Sequence, residues 1–162
     1  MGKKYNLVAT GGTFDLLHCG HYKLLERSFE LGEQTIIGLT SDDLASNLGK
    51  TLVNNYLERK ENLINFIQEM FGYQRYKISK LENYFGPTVI SNDVQAIVTS
   101  KETRPNAVKI NRLRLRKGLS EMKIISVTMV KAHDGRILSS KLIRSGEIDK
   151  YGNICKTSDY TD

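Results

Sequence analysis

Cysteine is scarce in this 162-residue chain: there are two, Cys19 and Cys155. Two distant cysteines make no disulfide framework, and without a CxxC pair they do not suggest a zinc site. Both read as reduced thiols, with Cys19 placed so that alkylation there would obstruct its neighbours. Long apolar runs are also missing, and nothing approaches the ~20 residues of a membrane-spanning helix. The start, Met1-Gly2-Lys3-Lys4-Tyr5, lacks the apolar stretch and small-residue cleavage site of a signal peptide. The expectation is a cytoplasmic protein that makes no use of a membrane. There is no internal repeat and no low-complexity linker.

What is present has an ordinary globular balance, with 40% hydrophobic and 26% charged residues. A chain near 150 residues buries roughly 70% of its unfolded surface, enough for one core without staples. The charge is uneven. Residues 1–100 hold 10 Lys/Arg against 11 Asp/Glu, whereas residues 101–150 hold 13 against 5. That basic third suits partners that carry phosphate, either nucleic acid or a triphosphate with a phosphorylated acceptor.

Hydrophobic spacing predicts strands at 5–10, 35–39, 75–78, 96–99 and 123–130. It predicts helices at 19–31, 41–48, 56–71 and about 103–117, a one-turn helix after Gly86-Pro87 and a final helical turn at 139–145. Gly32 is placed to end the first helix, and Thr103 to cap the fourth, with Pro105 tolerated in its first turn. Strands alternating with helices imply an α/β, Rossmann-like single domain with a mainly parallel sheet. We assign it residues 1–150, followed by a tail at 151–162 with little apolar periodicity. In such sheets ligands bind beyond the carboxyl ends of the strands.

The first of those ends carries Gly12-Thr13-Phe14-Asp15-Leu16-Leu17-His18-Cys19-Gly20-His21. The glycines let the backbone turn sharply and come close to a ligand. The helix that starts near Cys19 offers free N–H groups and a positive dipole end, which suit phosphate. His18 and His21, three apart, can face one ligand, and Gly20 between them leaves room for a base or phosphate. Asp15 is expected to fix the turn. The histidine pair lacks a third ligand at a recognisable metal spacing, so no residue is assigned to a metal.

Gly-Thr-Phe-Asp-x-x-His-x-Gly-His resembles the first motif of the nucleotidylyltransferase superfamily, whose HxGH element is shared with class I aminoacyl-tRNA synthetases. Leu138-Ser139-Ser140-Lys141-Leu142-Ile143-Arg144 is similar to the second motif, with Lys141 where Thr or Ser is usual. Ile37–Asp42, Arg59–Leu63, Val98–Thr103, Asn106–Asn111 and Arg144–Asp149 resemble the archaeal and eukaryotic type of phosphopantetheine adenylyltransferase. The resemblance implies ATP and 4′-phosphopantetheine as substrates and Mg²⁺ as cofactor.

It also implies roles. Gly12, Thr13, Phe14, His18, Gly20 and His21 would hold ATP, with Thr13 and His21 near the α-phosphate and His18 on the triphosphate. Ser139, Ser140, Lys141 and Arg144 would take the β- and γ-phosphates. Thr13, Lys50, Arg59 and Lys101 would serve the acceptor, and Lys50 joins His18 and His21 as a catalytic candidate. On their own, Lys50, Arg59 and Lys101 read equally as solvated charges, as do Arg112, Arg114 and Arg116. His133 sits in a turn-like Ala-His-Asp-Gly run.

Two rivals remain at this level. One is another member of the superfamily, a polyol-phosphate cytidylyltransferase or FAD synthetase. The other is an RNA-binding module related to the synthetases, which the basic segment favours and the short chain disfavours. Oligomeric state is not legible.

Overall fold

The computed structural model describes residues 2–83, 85–89 and 91–128. The turn expected at 139–145, His133, the second motif and the tail lie outside the described residues.

Among the described residues five strands and four helices follow one another as β1 (Tyr5–Gly12), α1 (Cys19–Leu31), β2 (Gly32–Thr40), α2 (Asp42–Asn47), α3 (Tyr56–Phe71), β3 (Tyr76–Leu81), a 3-10 turn (Gly86–Val89), β4 (Ala96–Ser100), α4 (Arg104–Arg116) and β5 (Lys123–Val127). The sheet runs β3-β2-β1-β4-β5, and every pairing is parallel. Chain order reverses beside β1, which leaves a crevice between the carboxyl ends of β1 and β4, the place where open α/β sheets bind ligands.

Side-chain alternation along the strands sorts the core into two faces. Ala9 and Ile97 pack with Ala107 and Ile110 of α4, while Val8, Ala96 and Val98 pack with Leu31 on the α1 side. Ile37 and Leu39 join Phe14, Leu25, Leu63 and Ile67 beneath α1 and α3. Burying such a side chain is worth about 1.5–3 kcal/mol, so this pattern fixes the register and with it the height of each strand end.

Several boundaries move. β1 continues through Gly11 and Gly12 instead of stopping at Thr10, because they pair with Gly38 and Leu39 of β2. The strands are close here: a Cβ on Gly11 would lie 3.0 Å from the Gly38 carbonyl oxygen. Gly32 ends α1 as expected, and its N–H returns to the Ser28 carbonyl, yet it is already extended and begins β2. Thr103 makes no side-chain cap on α4. Its hydroxyl accepts from the Ser100 N–H at 3.2 Å, tying down the β4–α4 loop. Cys19 is buried at the start of α1. Among the described residues no helix is long and apolar enough to cross a membrane.

Candidate active site

The turn after β1 brings its chemistry together by local geometry. Phe14 is left-handed at φ 49°, an uncommon conformation for a bulky residue. Strain of this kind costs of order 1–3 kcal/mol and persists only where the surroundings over-determine it. Here the Phe14 ring is locked in the core at 1% exposure, 5.0 Å from the His21 ring. Only the Phe14 backbone is left to face a ligand, so its expected ATP contact cannot be through the ring.

His18 is the N-cap of α1, and the two histidines close a reciprocal capping box. The Gly20 N–H donates to His18 Nδ1 at 3.0 Å, and the His18 N–H donates to His21 Nδ1 at 3.3 Å. Each Nδ1 is therefore an acceptor, which leaves the proton on Nε2 in the neutral ring. The rings lie 4.0 Å apart, tilted by 31°. Burial lowers the His18 pKa to about 4. It also holds His21 well below its ordinary value, helped by His18 and by the charge of Lys50. At neutral pH both side chains are uncharged donors at the start of a helix. The space beside Gly20 is taken by His18 itself, since a Cβ there would lie 2.8 Å from His18 Cε1. The missing side chain at Gly20 thus makes room for the cap.

The segment from Lys50 to Asn55 is bolted to this turn. Asp15, 3% exposed, accepts from the N–H groups of Val53 (2.9 Å) and Asn54 (3.0 Å), and also from the Asn54 side chain at 3.3 Å. Its expected structural role is what the contacts show. Lys50, at the head of the segment, is exposed, and its charge reaches His21.

Arg59 needs a correction. It is fully buried, and its guanidinium donates to the carbonyls of Thr13 (2.8 Å) and Asn54 (3.2 Å) and to the Asp42 carboxylate (2.8 Å). Three of its five N–H groups are so engaged and the side chain is shut off from solvent, so in this structure it supports the Thr13 turn from behind. Spacing carried the signal: Arg59, Leu63 and Ile67 are the buried residues of α3, at i, i+4 and i+8.

Arg114 repeats the point on α4. It is 1% exposed, not part of a solvated face, and donates to the carbonyls of Ser120 (2.8 Å), Ser91 (2.7 Å) and Thr88. Arg112 and Arg116 are exposed, as expected. Lys101 is exposed just beyond β4. A small apolar cavity of about 60 Å³ lies on the α4 side of β1 and β2, lined in part by Gly11, Gly38, Leu81, Phe85 and Ile110.

A parallel sheet, a glycine turn and a helix start bearing two neutral histidine donors define a nucleotide-handling α/β protein of the HxGH kind. Residues 9–146 match the cytidylyltransferase-like family. The phosphopantetheine adenylyltransferase of Methanothermobacter thermautotrophicus is 42% identical over 156 residues, 96% of this chain and 93% of that protein. That of Methanosarcina barkeri is 43% identical over 152 residues, 92% of each. A crystal structure of a protein with unknown function from Archaeoglobus fulgidus is 35% identical with a TM-score of 0.68, covering 74% of this chain and 87% of that one. Tyrosyl-tRNA synthetase from the same organism shares the fold alone, at 15% identity and a TM-score of 0.61, over 86% of this chain and 60% of that one. The chain belongs to the cytidylyltransferase-like family and, within it, groups with the archaeal phosphopantetheine adenylyltransferases.

Proposed function

We propose that the protein transfers the adenylyl group of ATP to 4′-phosphopantetheine, giving dephospho-coenzyme A and pyrophosphate, a step of coenzyme A biosynthesis. The observation that carries this reading is the pair of neutral imidazoles on α1, each with Nδ1 occupied and Nε2–H free to donate. Relatives over more than nine-tenths of the chain supply the substrates.

The acceptor is a phosphate monoester with a second pKa near 6, ionised at neutral pH. An acceptor oxygen attacks the α-phosphorus, the bond to the bridging α–β oxygen breaks, and pyrophosphate leaves. No proton has to be removed, so the protein's task is positioning and charge stabilisation. His21, with Thr13, donates at the α-phosphate, and His18 donates to the triphosphate. Lys50 meets charge on the acceptor phosphate, and Lys101 joins it from the end of β4. Gly12 keeps the backbone low beneath the ligand. Ser139, Ser140, Lys141 and Arg144, outside the described residues, take the β- and γ-phosphates in this reading. The apolar cavity beside Gly11 and Gly38 suits the uncharged arm of the acceptor.

Magnesium belongs to the triphosphate in this scheme. No cluster of three His, Cys, Asp or Glu occurs among the described residues, and the Asp15 carboxylate is spent on backbone N–H groups. These residues do not fit a protein-built Mg²⁺ cage; the ion commonly binds through substrate phosphates with few protein ligands. Such a role places the protein in the cytoplasm. Purified protein with Mg²⁺, ATP and 4′-phosphopantetheine should release pyrophosphate and form dephospho-coenzyme A. Preference for CTP with glycerol phosphate, or for ATP with FMN, would defeat the assignment.

A further inference from the structure

Three threonines stand at the carboxyl ends of the central strands, all buried: Thr10 on β1, Thr40 on β2 and Thr99 on β4. The first two hydroxyls lace the strand ends together. Thr10 donates to the Val98 carbonyl at 2.9 Å, and Thr40 donates to the Gly12 carbonyl at 3.1 Å. Thr99, 6% exposed, has no hydrogen-bond partner. Buried hydroxyls are bonded in the large majority of cases, and one left unpaired costs free energy that asks for an explanation.

Its position supplies one. Ile97 packs on the α4 side, so Thr99, two residues on, faces the same side. The parallel register pairs Ala9 with Ile97, and extending it by two residues places Gly11 opposite Thr99. On the other flank Thr99 pairs with Ser126, whose hydroxyl takes a bond from Arg104 at 2.8 Å. The unpaired hydroxyl therefore lies at the β1–β4 crevice, between a residue without a side chain and a serine that holds an exposed cation.

We infer that Thr99 is a nucleotide-contacting residue whose hydroxyl is completed by an oxygen of bound ATP. The two substrates divide the crevice. The Lys50 segment, held by Asp15 beside β1 and β2, suits the acceptor phosphate, whereas Thr99 stands on the other flank of β1 with Ser126 and Arg104, a cluster we give to the nucleotide. This rests on the proposed adenylyl transfer only for the choice of nucleotide.

A matched control is built into the fold. Thr35 carries the other unpaired buried hydroxyl, but near the opposite end of β2, away from the crevice. Thr35→Val and Thr99→Val each replace a hydroxyl with a methyl of similar shape. Both should leave the melting temperature at or above that of the parent. Titration calorimetry with ATP and Mg²⁺ should then show binding weakened about tenfold by Thr99→Val, unchanged by Thr35→Val and retained by Thr99→Ser. Affinity for 4′-phosphopantetheine, measured separately, should stay constant throughout. Thr99→Val that binds ATP like the parent, or that loses only the acceptor, overturns the inference. A parent that fails to bind ATP overturns it together with the functional reading. A parent that binds ATP but does not adenylylate 4′-phosphopantetheine defeats that reading alone.

Discussion

At the carboxyl ends of β1 and β2, polar side chains are bonded to neighbouring backbone. Asp15 holds Val53 and Asn54, Arg59 holds Thr13 and Asn54, and the histidines cap one another. At the end of β4 one buried group stands uncommitted: Thr99 has no partner, although its neighbours Ser100 and Thr103 bond to each other and Arg104 donates to Ser126. The difference separates two tasks. Donors aimed at developing charge are effective only if they need no rearrangement when reaction occurs, so the catalytic flank is built in advance. A nucleotide supplies many hydrogen-bonding oxygens, so the binding flank leaves a group for it to satisfy.

The strongest way to break this contrast is to remove a brace. Arg59 has one of the largest fully buried side chains in the molecule. Arg59→Ala empties its space and strands the carbonyls of Thr13 and Asn54. We expect a loss of about 3–5 kcal/mol in chemical denaturation, the range for emptying a large buried site. Arg112→Ala, on the exposed face of α4, should change stability by less than about 0.5 kcal/mol. Equal losses at the two positions would erase the distinction between braced and solvated cations.

Next in size is the donor role of the histidines. His21→Ala should lower kcat by about 10²–10³, the usual cost of losing one transition-state donor. His21→Asn or His21→Gln keeps an N–H donor and should recover part of that loss, which an amide could not do for a general base. His18→Ala should lower kcat less and raise the KM for ATP. Steady-state kinetics with thermal melts separates these effects from loss of the His18–His21 cap.

Acid gives a smaller, graded effect. The folded chain keeps His18 neutral down to about pH 4, while the unfolded chain takes up that proton near its ordinary value of 6.5. Between those values the unfolded state binds more protons, so stability falls as pH falls. His18's contribution is complete above pH 6.5 and worth roughly 3 kcal/mol. Denaturation midpoints measured from pH 7 to 4 should decline, and His18→Gln should flatten the decline.

Much of this was legible beforehand. α1 and α3 have the expected bounds because their apolar spacing and caps agree. Gly-Thr-Phe-Asp-x-x-His-x-Gly-His marked the right turn because left-handed backbone, helix start and histidine spacing are local properties. Long-range satisfaction was not legible. Arg59 reads as a free cation until the fold brings the Thr13 and Asn54 carbonyls to it, although it shares the buried i, i+4, i+8 face with Leu63 and Ile67. Arg114 is hidden the same way, between the exposed Arg112 and Arg116. The cap beside Gly20 depends on a side-chain rotamer, which spacing in sequence does not give. Thr99 has no sequence signature: its interest comes from what surrounds it and does not bond to it.

The most direct test of the central claim, that His18 and His21 work as neutral Nε2–H donors, is nitrogen-15 NMR of the two imidazoles in the free protein from pH 8 to 5. The account predicts that both rings stay neutral, with Nε2 protonated and Nδ1 bare, and show no titration near 6.5. A ring that titrates near 6.5, or that carries its proton on Nδ1, would contradict it.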